Sequence, residues 1–418
     1  MVIAIITRTS TAHYTRKKKN GESVNARPSL PTKVVKSLKN KMNRRDFLQY
    51  SSLMPLAGMM PEAFAAGAGH RPDQIVVMVE LKGGNDGLNT LIPFRDDHYH
   101  RARPSLRVKN GIPLKNNMAM NPYLKQLLPL WKEGHMAWIQ GVGYSNPSRS
   151  HFHSIDVWET ASTRNNESRG WLSRVLPPSR NSVNGIVLGD NNLGPMTGSS
   201  AVAMEDPKTF LRQTKYLNKK HFKASNPSLA HMLSVQNQIN TAASQLSKIS
   251  RGHRSPVRFP NSRFGRKLSL VTQMIINGMD TPVYKVSLEG FDTHAGQVDQ
   301  HNNLMNHLGG GLKAFTDAMK KAGLWNNVMV ITYSEFGRRV AQNNSGGTDH
   351  GAAAPHFALG GRVRGGMYGK QPSLDPRKLH DGDLIHTVDF REVYATLAQR
   401  WWRRPNPWGN AHRPIPFV

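Results

Sequence analysis

Two short stretches of this 418-residue chain set a carboxylate and an imidazole close together among glycines. In Gly290-Phe291-Asp292-Thr293-His294, Asp292 and His294 stand two residues apart, near enough for both to reach one divalent ion. In Gly346-Gly347-Thr348-Asp349-His350-Gly351, Asp349 precedes His350, a pair that ligates a metal or orients an acid/base imidazole. Two further acids belong to the same kind of place. Asp86 lies in the glycine-rich turn Lys82-Gly83-Gly84-Asn85-Asp86-Gly87, and Glu335 in Ser334-Glu335-Phe336-Gly337-Arg338-Arg339. Ser150, followed by His151, is the candidate nucleophile.

Some of these residues have plainer readings. Asn-Asp-Gly is a turn signal, so Asp86 is either an Asx turn or a ligand. Ser150 is either a structural N-cap or a hydroxyl held at the positive end of a helix dipole, where backbone N–H groups bind anions. His301 and His307 read as surface residues of a helix, or as extra imidazoles for the Asp292 loop.

The elements that would carry these residues follow from hydrophobic pattern. Residues 74–81 are a near-continuous β-branched run, as in a strand buried on both faces of a parallel sheet. Further apolar runs at 136–142, 185–188, 283–288, 328–333 and 357–359 predict strands. Residues 122–132, 228–247 and 312–322 predict helices, the last stopped by Gly323. Alternating strands and helices indicate an α/β fold with a mostly parallel central sheet flanked by helices. In such sheets the ligand crevice lies beyond the carboxyl ends of the strands, where Asp86, Ser150, Asp292 and Glu335 fall. The polar stretch 206–267 is expected to be an inserted helical cap. No internal repeat occurs.

Composition narrows the class. Apolar residues make up 38% and aromatics 8%, which excludes a disordered chain and a many-span membrane protein. The absence of cysteine excludes disulfides, Cys-ligated zinc and thiol nucleophiles. A formal charge of +29 favours anionic partners. Near the start, Asn43-Arg44-Arg45-Asp46-Phe47-Leu48 precedes a weakly apolar region and Ala63-Phe64-Ala65, the order of a twin-arginine export signal over residues 42–65. Residues 1–41 then form a disordered or untranslated basic leader, and the mature domain begins near Ala66. The expected address is periplasmic or secreted with no stable membrane anchor, and the translocase is the first partner.

Taken together, Gly83-Gly84-Asn85-Asp86-Gly87-Leu88-Asn89-Thr90, Ser150-His151-Phe152, Phe291-Asp292-Thr293-His294, Ser334-Glu335-Phe336-Gly337-Arg338, Gly347-Thr348-Asp349-His350-Gly351 and Asp389-Phe390-Arg391-Glu392-Val393-Tyr394 resemble domain-of-unknown-function family 1501. The resemblance implies twin-arginine export and a fold similar to the alkaline phosphatase and sulfatase superfamily. By order along the chain it gives Asp86, Asp292 with His294, and His350 to the metals, and Ser150 to the nucleophile. It departs from that superfamily where an Asp-His pair is expected after residues 328–333, because Glu335-Phe336 stands there with Arg338 close behind.

The expectation is therefore a metal-dependent hydrolase of phosphate or sulfate esters. It has one divalent ion (zinc, calcium, magnesium or manganese) and Arg338 in place of a second. Asp86, Asp292, His294, Glu335, Asp349 and His350 are the candidate ligands, with Ser150, His151 and Arg338 catalytic. His151 or His350 would serve the leaving group. The substrate is an anionic small molecule or glycan, and nucleic acid is not expected, since no recognised module is present. The rival is a degenerate envelope protein that binds an anionic glycan or a partner protein without turnover.

Overall fold

The computed structural model describes residues 74–164, 167–176, 183–217, 226–249 and 254–418. The export signal expected at 42–65 and the leader before it lie outside these residues. Strand β1 (Ile75–Lys82) is the axis of the molecule. Seven of its eight residues are buried, and their side chains alternate between two cores. Ile75, Val77, Val79 and Leu81 enter one; Val76 and Met78 enter the other. Because both faces are covered, the run to Leu81 is apolar on both sides except at Glu80, rather than alternating. Each such fully buried side chain contributes about 1.5–3 kcal/mol relative to exposure.

Eight more strands complete a nine-stranded sheet. They are β2 (Met136–Gly143), β3 (Gly185–Leu188), β4 (Ala201–Met204), β5 (Val283–Glu289), β6 (Val328–Tyr333), β7 (Ala354–Gly360), β8 (Gly366–Tyr368) and β9 (Val388–Asp389). The order is β8-β2-β7-β6-β1-β5-β3-β4, with β9 also on β2. Only β7 runs against its neighbours β2 and β6; the other pairings are parallel. The register keeps the ends flush, with Lys82 opposite Glu289 and Glu80 opposite Tyr333. The loops after β1, β5 and β6 therefore emerge side by side. Antiparallel β7 delivers at this same edge the loop that precedes it, which carries Asp349 and His350.

Helices cover both faces. α1 (His151–Thr160) and α6 (Phe390–Thr396) bury Val157, Trp158, Phe390 and Tyr394 against one. α3 (Pro227–Ile249), α4 (Arg263–Ile276) and α5 (Gln297–Lys321) lie on the other with short α2 (Pro207–Thr214). Within the polar stretch expected as an inserted cap, α2, α3 and the start of α4 are helical. Phe210, Ile239, Ala242 and Leu246 from it join the same core as the sheet, and α3 packs beside β4. The helix expected over 312–322 is the C-terminal half of the 25-residue α5. His301 on α5 is buried, contrary to a surface placement. No helix among the described residues is long and apolar enough to cross a membrane.

Candidate metal centre

After β5 the chain remains alternating: Phe291 and Thr293 are buried, while Asp292 and His294 face out. This period of two puts a carboxylate and an imidazole on one side. Thr293 and Thr348 both donate to the Gln297 amide oxygen, at 3.0 and 2.6 Å, and Thr348 N–H donates to the Thr293 carbonyl. The 292–294 and 347–350 loops are thereby zipped together. Gly347 lies so close that a Cβ there would stand 2.3 Å from His294 backbone. Gly83, at φ +117°, admits the Asp292 amide nitrogen to within 2.5 Å of where its Cβ would be.

His151 opens α1, and the loop before it is braced from below. Tyr144 Oη meets Ser154 Oγ at 2.7 Å, and Ser154 Oγ donates to the Ser148 carbonyl at 2.9 Å. His350 is fixed by a backbone bridge to Arg338. Phe336 packs against the rings of both His151 and His350, with centroids 4.9 and 4.5 Å away.

The result is a cluster of three imidazoles around Asp292. His294 Nε2 and His350 Nε2 each lie 3.0 Å from Asp292 Oδ1 and 3.0 Å from each other. His151 Nε2 is 3.5 Å from Asp292 Oδ2. On the outer side every Nδ1 is engaged: His151 with Glu335 at 3.0 Å, His294 with Asp349 at 3.3 Å, and His350 with the Arg149 carbonyl at 2.8 Å. Carboxylates and carbonyls only accept, so each Nδ1 carries the hydrogen and each Nε2 turns a lone pair inward. This is the arrangement by which a metal-binding histidine is held in tautomer and orientation.

The donor set fits a divalent ion. Two donors each about 2.0–2.2 Å from one ion lie roughly 3–4 Å apart, matching the separations of 3.0 and 3.5 Å. Ligand atoms of His151, Asp292 and His350 fall within 4.8 Å of one another, and His294 Nε2 lies 3.0 Å from two of the three, Asp292 and His350. Partial burial alone would raise the Asp292 pKa. The Arg338 guanidinium, which donates to Asp292, outweighs it and holds the carboxyl at about 2. Lone pairs facing this carboxylate repel it unless a cation sits among them.

Other expected site residues have different roles here. Asp86 is not in the cluster. Its side chain is fully buried against Arg103 Nη1 at 2.6 Å, and it also accepts from the Gln297 amide. Burial opposes the charge, but Arg103 holds the carboxyl below its ordinary value. Asp86 is thus a structural anchor and the N-cap of the one-turn helix Gly87–Thr90. Glu335 and Asp349 meet imidazoles through Nδ1, as orienting acceptors behind the donors. The Glu335 hydrogen bond raises the His151 pKa. His151 has both nitrogens committed, and so does His350, which leaves neither free as a proton shuttle. Arg338 is buried and spent: it donates to the carbonyls of Gly83, Gly84, Phe291 and Thr348 and to Asp292. It clamps three loops together and offers no guanidinium face to a ligand. Ser150 is exposed at the N-terminus of α1 and makes no side-chain capping bond. Both its chain neighbours, Arg149 and His151, contact the cluster.

Several residues that build the site escaped the sequence reading. Arg103 and Gln297 gave no local signal. Glu80 and Lys285 did, because charges inside apolar strands demand partners. Lys285 lies buried between Glu80 at 3.1 Å and Glu159 of α1 at 3.2 Å. The trio ties the helix that carries His151 to strands β1 and β5.

Fold and site define a mostly parallel, three-layered α/β protein with a histidine–carboxylate cluster at the strand ends. The chain belongs to the family described as protein of unknown function DUF1501, whose model matches residues 140–412. No match is found among the curated proteins. Among solved structures it is similar to Ps i-CgsB, crystallised with a neocarrahexaose, at 11% identity and TM-score 0.38, covering 81% of this chain and 74% of that one. It is also similar to a sulfatase from Pseudoalteromonas sp., at 14% identity and TM-score 0.36, with 82% and 70% covered. A protein in the alkaline phosphatase superfamily from Vibrio parahaemolyticus shares 10% identity at TM-score 0.32, with 80% and 67% covered.

Proposed function

We propose that this protein is an exported hydrolase of phosphate or sulfate esters working with a single divalent ion. The observation that supports it best is the convergence of three imidazole Nε2 atoms on Asp292, each ring tied outward through Nδ1. His151, Asp292, His294 and His350 would hold the ion, which when bound supplies a Lewis acid to polarise the ester and acidify a nearby hydroxyl.

The chain's own residues supply the rest. Ser150 presents an uncapped hydroxyl at the positive end of α1. Its Oγ forms the new bond to phosphorus or sulfur as the bond to the ester oxygen breaks. The alcohol leaves with the proton that the serine gives up, and water then releases phosphate or sulfate and restores the hydroxyl. Phe336 shields the imidazoles from one side, and Arg338 keeps the loops in register without touching substrate.

Metal analysis of the protein, with aryl phosphate and aryl sulfate assays on wild type, Ser150→Ala and Asp292→Asn, tests this reading. Bound metal and turnover in wild type, with turnover lost in both variants, is the expected result. No metal and no turnover above background would sink it. Binding without turnover is the second reading. It is favoured by Asp86, which is locked to Arg103 and leaves no second ligand set beside β1. Retention on an anionic glycan resin that survives Ser150→Ala, with no hydrolysis, would select it.

Export through the twin-arginine route is part of the proposal, supported by Arg44-Arg45 and the cleavage-like Ala63-Phe64-Ala65. Replacing both arginines with lysine is expected to retain the protein in the cytoplasm. Unchanged periplasmic yield would refute it.

A further inference from the structure

Beside the cluster, Arg149 and Arg339 share one buried carboxylate. Arg149 Nε and Nη2 reach Asp383 Oδ2 at 2.9 and 2.7 Å, and Arg339 Nε stands 3.8 Å from Asp383 Oδ1. The arginine side chains are 38% and 37% exposed, while Asp383 is 4% exposed. Asp349 and Asp381 add carboxylates within coulombic reach of the group, so what the pair offers a ligand is its outward N–H donors. Among the described residues no hydrogen bond occupies Arg149 Nη1 or the terminal nitrogens of Arg339. Both residues are locked to the metal centre through their backbones. The Arg149 carbonyl accepts from His350 Nδ1 at 2.8 Å, and Arg339 N–H donates to the Asp349 carbonyl at 3.1 Å. Asp383 restrains the Arg149 guanidinium through two hydrogen bonds, so little of its side-chain entropy remains to be lost on binding.

We propose that Arg149 and Arg339 form a second anion subsite, which takes an additional phosphate or sulfate of a substrate that carries at least two such groups. This rests on the reading of the cluster as an ester-binding centre. It follows from position as well as charge. Arg338, the guanidinium nearest Asp292, has no free face, so these two supply the cationic donors next to Ser150. A planar fork pinned along one edge keeps its other donors for bidentate contact with tetrahedral oxyanions. An ester with one such group would use the cluster alone, and one with two would use both.

The metal-loaded full chain is titrated calorimetrically with glucose 6-phosphate and with glucose 1,6-bisphosphate. Wild type is expected to bind the bisphosphate roughly 10-fold more tightly, the scale of a charge-assisted contact. Arg339→Gln should bring that ratio close to one, and Arg339→Lys should restore part of it. Arg339 is the partner to vary, because its loose 3.8 Å contact makes it less essential to the fold than Arg149. A ratio near one in wild type, or one unchanged in Arg339→Gln, overturns the subsite. The expected ratios without turnover of aryl esters would sink the hydrolase reading and leave the subsite standing. Failure of both sugar phosphates to bind at millimolar concentration would count against both.

Discussion

Asp86 and Asp292 occupy equivalent places in the fold, each just past the end of a parallel strand in a glycine-containing loop, yet they do opposite things. Asp86 is fully buried against Arg103, with its charge neutralised inside the protein. Asp292 is 48% exposed, and although Arg338 touches its Oδ1, three imidazoles face the same carboxylate. Position at a strand end brings a carboxylate to the crevice. The cation that meets it decides whether it anchors the loop or binds a ligand.

The largest effect should come from breaking the buried pair. Asp86→Ala leaves Arg103 uncompensated and is expected to cost about 3–5 kcal/mol of stability by denaturant titration. Asp292→Asn keeps an acceptor for Arg338 and should cost clearly less; equal losses would erase the distinction. The contrast reverses for metal affinity. Removing a donor by His350→Ala should weaken binding of a divalent ion by more than about 100-fold, above the range found for orienting residues. An Asp86 variant that still folds should bind as wild type does. Glu335→Gln should fall within about 10–100-fold, and Asp349→Asn, whose carboxylate is 53% exposed, nearer the lower end. Equal affinities in these variants and wild type would show that the outer hydrogen bonds do not orient the imidazoles.

The smallest predicted effects concern pH, and the two regions differ here too. The folded Asp86 pKa lies below its ordinary 3.8. Its pair therefore stabilises the protein fully above that range and ceases to do so as pH falls through the lowered value. Asp86→Asn should flatten the acid limb of stability against pH. His151, by contrast, holds its proton more tightly than an ordinary imidazole at 6.5. Competition from protons should therefore already weaken apparent affinity for the ion above pH 6.5. An affinity that stays constant from pH 8 to pH 5 would contradict its role as a donor.

Much of this was legible in the sequence, for physical reasons that can be named. The strands at 185–188 and 328–333 match residue for residue, because unbroken apolar runs bounded by polar turns leave little choice of boundary. Asp292, His294 and His350 stood out because carboxylate and imidazole sat among glycines that permit close backbone approach. The antiparallel sense of β7 was not legible, since a short apolar run carries no direction. The helix holding His301 and His307 was legible, but not that His301 faces inward, because His, Asn and Gly309–Gly311 mask which side of α5 is apolar. The roles within the site were the least accessible. Arg103 lies 17 residues from Asp86 and pairs with it only through tertiary packing. Glu335-Phe336 looked like a lost ligand pair; in the fold, Glu335 orients His151 and Phe336 wedges against two imidazoles.

The central claim is that one divalent ion belongs to the imidazoles around Asp292. Anomalous scattering from crystals grown with zinc or manganese tests it most directly. The account predicts a single peak within bonding distance of Asp292 and the Nε2 atoms of His151, His294 and His350, with Asp86 still on Arg103. A peak at Asp86, a second ion beside it, or no peak at the imidazoles would contradict it.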